Sequence, residues 1–152
     1  MCVGYAAPEQ NAEAFDAEGY FHTGDLGRIT PEGCLIITGR KKDLIIRGGE
    51  NISPKEIEDV LYAHPAVREA AVVAMPHPRL GETACAYVIL REGGVFDFAE
   101  MRRTLERSGL AKQKYPERLE IVDALPYTAA GKIRKNLLRE QIAEQIAHET
   151  AS

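Results

Sequence analysis

Apolar residues in the last two thirds of the chain form short continuous runs that predict strands. Glu69–Met75 and Ala84–Leu90 are almost entirely apolar and have the length of a strand. Such runs predict strands buried on both faces, although a helix covering one face would suffice. Leu44–Ile46 and Leu119–Val122 are shorter runs of the same kind, and they predict two more strands.

A helix is predicted directly after Ile52, because its start carries several local signals. Ser53 is expected to cap the helix, Pro54 suits the first helical position, and Glu56 completes the spacing of a capping box. Ile52 can also pack against Ile57 as a hydrophobic staple. The apolar positions that follow share one helical face and extend the predicted helix to residue 63.

Two further helices complete the pattern. Asp97 is expected to cap one of them, with Phe98, Met101 and Leu105 on its inner face, and Asn136–Ile146 predicts the last helix. The order strand–helix–strand–strand–helix–strand–helix predicts an α+β fold, a small central sheet flanked by helices. Residues 43–152 are numerous enough to form an independent domain around their own core.

The first 42 residues follow a different pattern. Residues 1–18 predict a loop with one helical turn around Pro8–Phe15. Leu26–Ile29 and Cys34–Ile37 are short apolar runs separated by a turn that contains proline and glycine, which predicts a β-hairpin. Because a lone hairpin is marginally stable in water, this segment is expected to belong to something larger.

Composition narrows the class of protein rather than its activity. The 152 residues are 45% hydrophobic and 28% charged, as in globular proteins, and a net charge of −4 provides no overall basic field for nucleic acid. No apolar run approaches the roughly 20 residues that span a bilayer, and residues 1–15 lack the pattern of a signal peptide. Cys2, Cys34 and Cys85 lack the spacing of a zinc site or disulfide framework. These features predict a cytoplasmic protein without a metal site in this chain.

Three stretches combine glycines with charged or small polar residues. They are GYFHTGDLG (Gly19–Gly27), GRKKDLIIRGGENISPKEIE (Gly39–Glu58) and LPYTAAGKIRK (Leu125–Lys135). A glycine pair lets another chain or a ligand approach the backbone closely, because no Cβ is in the way. Taken singly, they favour ordinary interpretations: a turn aspartate, a strand–helix turn and a solvated lysine.

In this order and at these separations, the three stretches resemble the adenylate-forming superfamily, the acyl- and aryl-CoA synthetases with their luciferase and peptide-synthetase relatives. The resemblance runs roughly from Gly4 to Glu140 but covers only the last third of a full-length enzyme. It implies that residues 1–42 are the end of the large AMP-binding domain, with a β-hairpin and a hinge. Residues 43–152 would then be the C-terminal lid domain, with the N-terminal AMP-binding domain as its partner.

The resemblance implies roles for three residues in the adenylation step. Lys132 would contact the substrate carboxylate and the ATP phosphates, where a mobile positive charge offsets the negative charge that accumulates as two anions meet. Asp25 would bind the ribose hydroxyls, and Arg40 would be a second nucleotide contact. His22 is expected to be structural, because nothing pairs it with a nucleophile.

Further residues would serve the second conformation of such an enzyme. Lys42 matches the hinge position about which the small domain rotates between half-reactions. Gly48 and Gly49 would line the tunnel for the pantetheine arm of CoA, with Glu50 helping to hold the loop. The basic cluster of Lys132, Arg134, Lys135 and Arg139 either meets CoA phosphates or is a solvated helix start.

The implied function is that of an ATP-dependent acid–CoA ligase, which uses ATP, Mg²⁺ and CoA to activate a carboxylic acid. The fragment alone is expected to be inactive. GGENISP resembles acyl-CoA ligases more than peptide-synthetase domains, but an adenylation domain that loads a carrier protein remains an alternative, as does a stand-alone binding or regulatory module. The setting of Lys132 also resembles acetylation targets, which makes an acetyltransferase a candidate partner. One departure is His77, where similar proteins have an acidic residue after Pro76; consequences for its own loop alone are expected.

Overall fold

The computed structural model describes residues 8–151, without the side chains of Pro8, Gln10, Glu13 and Ala151. This part divides into two compact units, and the boundary between them follows Lys42. Cys2 and most of the segment considered as a signal peptide lie outside the described residues.

The first unit contains a short helix and a hairpin. Helix α1 spans Pro8–Ala14, and the hairpin consists of β1 (Asp25–Ile29) and β2 (Leu35–Arg40), which pair antiparallel. The predicted helical turn and hairpin are therefore confirmed. Ile29 and Leu35 are 74% and 67% exposed, and all the buried hydrophobic side chains of the described chain occur from Ile45 onward. Among the described residues of the first unit, the hairpin thus has no buried apolar core of its own, as its sequence predicts.

The second unit is built on a five-stranded sheet. Its long central hairpin consists of β5 (Val67–His77) and β6 (Gly81–Leu90), and the other edge of β6 pairs antiparallel with β3 (Ile45–Arg47) and parallel with β7 (Arg118–Ile121). A further strand, β4 (Glu50–Ile52), pairs antiparallel with β3. Three helices pack on this sheet: α2 (Pro54–Tyr62), α3 (Phe98–Arg107) and α4 (Lys135–Ala151). The α+β prediction is confirmed.

Side chains of β5 and β6 alternate between two hydrophobic clusters on opposite faces of the sheet. One cluster joins Val72 and Ala86 to residues of α2 and α3, and the other joins Val73 and Tyr87 to Leu138 of α4. Because successive residues of a strand point to opposite faces, burial on both sides requires continuous apolar runs. This explains why both strands could be recognised from sequence.

Two local predictions for the start of α2 have different outcomes. Ser53 occupies the N-cap position and Pro54 the first turn, and Ile52 and Ile57 lie in the same core cluster, as a hydrophobic staple requires. The capping box is wrong, however, because the Ser53 side chain makes no cap hydrogen bond. The Glu56 carboxylate accepts hydrogen bonds from Lys114 Nζ at 2.7 and 2.9 Å. Glu56 therefore binds a residue that is distant in sequence.

Candidate functional site

Lys132 lies at the end of a small turn, residues 128–132, between β7 and α4. The Thr128 N–H donates to the Lys132 carbonyl at 2.8 Å, and the Lys132 N–H donates to Thr128 Oγ1 at 3.1 Å. Gly131 adopts a φ of 75°, in the left-handed region that glycine enters without a steric penalty. Lys132 is exposed, and no carboxylate of the described residues lies within 4.0 Å of its ammonium group. The backbone of the turn is therefore fixed while the charged group remains available.

The base of this turn is attached to the sheet and to α2. Tyr127 pairs with Ile133 in an isolated bridge, and the Tyr127 hydroxyl donates to the Glu69 carboxylate on β5. This hydrogen bond to an anion raises the pKa of Tyr127 to about 12. Lys135, the first residue of α4, forms an ion pair with Glu58 at 2.6 Å. These contacts fix the position of the turn relative to the sheet and α2.

The four basic residues near this turn differ in their partners. Lys135 pairs with Glu58, and Arg139 pairs with Asp43 at 3.6 Å. Both carboxylate partners are largely buried, with side-chain exposures of 14% for Glu58 and 18% for Asp43. Only Lys132 and Arg134 of this cluster are exposed without an ion pair among the described residues. The ion pairs thus divide the cluster into two paired cations, Lys135 and Arg139, and two exposed ones, Lys132 and Arg134.

Asp25 and Arg40 lie opposite each other on the hairpin of the first unit. They are paired in the register of β1 and β2, and Arg40 Nε donates to Asp25 Oδ1 at 2.8 Å. The Asp25 N–H also donates to Thr23 Oγ1 at 3.1 Å, while the Lys41 N–H donates to the Gly24 carbonyl at 2.8 Å. The structure thus brings the two sequence-predicted nucleotide contacts together at one end of the hairpin.

Two other predicted residues of the first unit have simple surroundings. His22 is exposed, and its Nε2 lies 3.6 Å from Asp16 Oδ2, while its N–H donates to the Ala14 carbonyl at 2.7 Å. Lys42 is exposed and lies in a 3-10 turn, Lys41–Asp43, between β2 and β3. Because β2 and β3 belong to different sheets, no strand pairing is continuous through this turn.

Gly48 and Gly49 form the two-residue turn between β3 and β4. Their φ values are 57° and 91°, and the turn is flanked by the pair Arg47–Glu50. Positive φ at both central residues is what a tight hairpin turn that matches the strand twist requires. A Cβ added to Gly49 would meet no atom within 4 Å, so its backbone is open to an approaching group. Glu50 is exposed at the edge of this turn.

A set of residues that sequence patterns did not single out supports this glycine turn. Arg47 donates to Glu117 Oε1 at 2.7 Å, and His77 Nε2 lies 3.8 Å from Glu117 Oε2. Partial burial opposes ionisation of Glu117, but the hydrogen bond and charge of Arg47 outweigh it and hold the pKa of Glu117 below its usual value. The Gly48 N–H donates to the Leu80 carbonyl at 2.9 Å. The only sequence signal for this arrangement is the unusual histidine at position 77.

Two other kinds of feature, a metal-binding cluster and a membrane-spanning helix, are absent from the part of the chain that is described. No group of three or more His, Cys, Asp or Glu side chains in residues 8–151 is arranged to hold a metal ion. No helix in the same range combines the length and apolarity needed to cross a membrane. Cys34 is exposed and Cys85 is buried, and both are free thiols.

Comparison with known proteins places this geometry in a family. Residues 56–132 match the family described as AMP-binding enzyme C-terminal domain. A medium-chain fatty-acid–CoA ligase of Escherichia coli (strain K12) is 46% identical over 143 residues, which are 93% of this chain and 25% of the ligase. A 2,3-dihydroxybenzoate–AMP ligase of Bacillus subtilis (strain 168) is 44% identical over 142 residues, 93% of this chain and 26% of that enzyme.

Solved structures give the same result. The chain resembles the ATP-bound crystal structure of MatB from Rhodopseudomonas palustris with a TM-score of 0.81 and 43% identity, over 90% of this chain and 27% of that one. The chain therefore spans about a quarter of the length of the relatives it matches. It belongs to the AMP-binding enzyme C-terminal domain family and corresponds to the C-terminal part of adenylate-forming enzymes.

Proposed function

We propose that this chain is the C-terminal part of an ATP-dependent acid–CoA ligase and that Lys132 is its catalytic residue for adenylation. The observation that carries the proposal is the exposed Lys132 ammonium, which has no ion pair with the described residues and follows a hydrogen-bonded turn, in a chain that matches the C-terminal quarter of adenylate-forming enzymes. In the first half-reaction, a carboxylate oxygen attacks the α-phosphorus of ATP and pyrophosphate leaves. In the second, the CoA sulfur attacks the acyl carbon, AMP leaves, and the thiol proton passes to solvent.

The role of Lys132 follows from charge. Negative charge accumulates where the carboxylate approaches the phosphate, and a positioned cation stabilises that arrangement more than it stabilises the separated substrates. The fixed turn limits the entropy that the backbone loses when the lysine engages, because hydrogen bonds already hold Thr128 and Lys132. An ammonium without a carboxylate partner also does not have to break an ion pair first.

The nucleotide and thiol contacts are assigned to different units of the chain. Asp25 would accept hydrogen bonds from the ribose hydroxyls, with Arg40 both orienting that carboxylate and contacting the nucleotide. Gly48 and Gly49 would provide bare backbone beside the pantetheine arm, with Glu50 at the edge of the turn. Lys42 is proposed as the hinge, since rotation in its 3-10 turn interrupts no strand pairing.

Residues 1–42 are proposed to be the end of the large AMP-binding domain. The exposed apolar side chains of the β1–β2 hairpin, among them Ile29 and Leu35, support this assignment, because they need a partner surface. That domain would also hold the carboxylic acid. Magnesium, which accompanies ATP in such reactions, finds no ready-made site in residues 8–151, and no role in holding it is assigned to this chain.

A second candidate is an aryl-acid adenylating enzyme that transfers the acyl group to a carrier-protein thiol. It is favoured by the 44% identity to the 2,3-dihydroxybenzoate–AMP ligase, nearly the same as the 46% identity to the fatty-acid–CoA ligase. The two candidates share the adenylation step and differ in the acid and the acceptor. Fusions of this chain to the preceding part of each relative distinguish them. If transfer to free CoA is efficient in both fusions, the CoA ligase is supported; if both prefer a carrier thiol, the second candidate replaces it.

The test of Lys132 uses the fusion to the preceding part of the Escherichia coli ligase. We expect Lys132→Ala to lower ATP–pyrophosphate exchange by about 10²- to 10³-fold, the usual effect of losing one electrostatic contact to a transition state. Thioester formation from supplied acyl-adenylate should be retained. Lys112→Ala is the matched control, since Lys112 is also an exposed lysine in a short turn.

Three outcomes would contradict this assignment. Equal loss of both half-reactions in Lys132→Ala would show that the lysine serves the fold or both steps alike. ATP–pyrophosphate exchange by the 152-residue chain without any fusion would show that the chain is a complete catalyst. A fusion that catalyses neither half-reaction would favour a binding or regulatory module.

A further inference from the structure

The turn between β5 and β6 is organised by a histidine side chain. His77 Nδ1 accepts hydrogen bonds from the N–H groups of Arg79 at 3.2 Å and Leu80 at 3.1 Å. A nitrogen that accepts carries no proton, so a neutral His77 ring has its proton on Nε2, the atom that faces Glu117. The histidine performs the task that an aspartate or asparagine usually performs, accepting N–H groups two and three residues later.

Leu80 connects this turn to the glycine turn between β3 and β4. Its N–H is held by His77, and its carbonyl accepts the N–H of Gly48 at 2.9 Å. The Leu80 side chain would lie 3.4 Å from a Cβ placed on Gly48, so the two turns are also in close packing. The N–H and the carbonyl of Leu80 lie on the two peptide planes that flank its Cα, so the backbone dihedral angles of Leu80 link the His77 contact to the acceptor of Gly48.

The other side of the glycine turn is held by an ion pair. Arg47, the residue before Gly48, donates to Glu117, and the Glu117 N–H donates to the Ala84 carbonyl on β6 at 2.9 Å. His77 Nε2 at 3.8 Å is too far from Glu117 for a hydrogen bond but faces the same carboxylate. His77 and Arg47 thus approach one acidic group from two strands, and the glycine turn lies beside them.

We propose that His77 is a positioning residue for the Gly48–Gly49 turn, acting through the backbone conformation of Leu80. Loss of its Nδ1 acceptor would leave the Arg79 and Leu80 N–H groups without this partner, so the backbone dihedral angles of Leu80 could change and turn its carbonyl away from Gly48. The effect on catalysis rests on the proposed function, because only there does this turn border the path of the CoA thiol. In that enzyme His77 affects capture of CoA and leaves adenylation alone.

The positioning role is tested first by hydrogen exchange on the 152-residue chain, where no activity is needed. In His77→Ala, the amides of Gly48 and Leu80 should exchange about 5- to 30-fold faster, the factor that corresponds to one or two lost hydrogen bonds. His77→Asp should restore protection, because its carboxylate can accept the same N–H groups. His77→Phe keeps a ring of similar size without an acceptor, and it replaces His77→Ala if the alanine variant does not fold.

His64 offers a matched control. Its Nδ1 also accepts a backbone N–H two residues later, that of Ala66 at 3.2 Å, and its side chain is 16% exposed compared with 20% for His77. His64→Ala should loosen its own turn and leave exchange at Gly48 and Leu80 unchanged. Equal acceleration at Gly48 in both variants would overturn the proposal, as would unchanged exchange in both His77→Ala and His77→Phe.

The catalytic consequence is tested in the fusion described above. His77→Ala should raise the KM for CoA in thioester formation from acyl-adenylate while ATP–pyrophosphate exchange stays at the level of the unsubstituted fusion, and His77→Asp should reverse the change. Faster hydrogen exchange at the Gly48 amide with an unchanged KM for CoA would overturn the assignment of this turn to the path of the CoA thiol and leave the role of Lys132 intact. A proportional loss in both half-reactions would overturn the specific positioning role.

Discussion

Glu58 is expected to be the most important surface carboxylate for the stability of the second unit. It lies on α2 with 14% of its side chain exposed, and its Oε1 accepts hydrogen bonds from two elements distant in sequence. One donor is Lys135 Nζ on α4, at 2.6 Å; the other is the N–H of Val72 on β5, at 2.7 Å. A single carboxylate therefore joins α2, β5 and the start of the helix that follows Lys132.

The size of the effect can be estimated from these contacts. In Glu58→Ala, a backbone donor on β5 loses its acceptor, which costs about 1–3 kcal/mol, and Lys135 loses a charged partner. Lys135 is 19% exposed and can partly regain water, so the ion pair adds about 1 kcal/mol rather than the full cost for a buried charge. We expect a total loss of about 3 kcal/mol. For a cooperative unit of this size, that lowers Tm by roughly 12 °C.

The assay is urea and thermal unfolding of the 152-residue chain, followed by circular dichroism. Glu58→Gln keeps a neutral acceptor for Val72 and should lose only about half as much, roughly 1–1.5 kcal/mol. Asp59→Ala is the matched control on the same helix: its ion pair with Lys55 is exposed, at 45% and 60%, and should contribute about 0.3–0.5 kcal/mol. A double-mutant cycle with Lys135→Met should give a coupling energy of about 1–2 kcal/mol.

The reasoning would be refuted if Glu58→Ala destabilised the chain no more than Asp59→Ala. It would also be refuted in part if the cycle with Lys135→Met gave no coupling, since the loss would then belong to the Val72 hydrogen bond alone. Either result would mean that the start of α4, and with it the Lys132 turn, is held by apolar packing instead of this ion pair.

Two further predictions concern titration. Burial raises the pKa of the Cys85 thiol to about 12, whereas Cys34 is exposed. In a Cys2→Ser background at pH 8, a thiol reagent should therefore modify Cys34 quickly and Cys85 only on unfolding. Equal rates of modification in the native state would contradict the burial of Cys85. The folded-state pKa of Glu117 is lowered from 4.5, because the effect of Arg47 outweighs that of burial. Its contribution to stability is therefore fully present above about pH 4.5 and is lost as pH falls through the folded-state pKa. The difference in urea midpoint between the unsubstituted chain and Glu117→Gln should shrink over that range, and a constant difference from pH 7 to pH 3 would disprove the linkage.

Elements with strong local signals were predictable from sequence. Strands β5 and β6 place apolar side chains on both faces of the sheet, which makes their sequences continuous apolar runs. Asp97 caps α3 by accepting the Glu100 N–H at 2.7 Å, as its position in the sequence indicates. Strand β4 was not predicted, because Glu50–Ile52 has only three residues and no alternation to reveal it. It forms because positive φ at two glycines turns the chain back onto β3. The Gly48–Gly49 turn was recognised from sequence, but the strand that follows it, β4, was not.

Contacts between distant elements were beyond the reach of local patterns. The capping-box pattern at Glu56 is present in the sequence, but Lys114 supplies a charged partner that a single helix cannot reveal. Similarly, His77 stood out only as a departure from an expected acidic residue, with consequences foreseen for its own loop. Its link to Gly48 depends on the pairing of β3 with β6, which brings Arg47 opposite Gly81. Spacing along the chain contains no information about that pairing.

The same limit explains why Lys132 could be proposed only through a resemblance. An exposed lysine is the commonest state of that residue, so its position in a glycine loop distinguishes it little. Its neighbours Lys135 and Arg139 have the same charge and lie in the same basic run, yet each is occupied by a carboxylate from a distant element, Glu58 and Asp43. What separates Lys132 from them is this difference in pairing, which arises from packing of α4 against the sheet and α2. A substitution that freed Lys135 from Glu58 would therefore create a second available cation near the turn. A fusion that carries both Lys132→Ala and Glu58→Gln tests whether an available ammonium group is enough for adenylation. Restored ATP–pyrophosphate exchange in this double variant would mean that the position of the ammonium matters less than its lack of an ion pair, contrary to the proposed role of the turn.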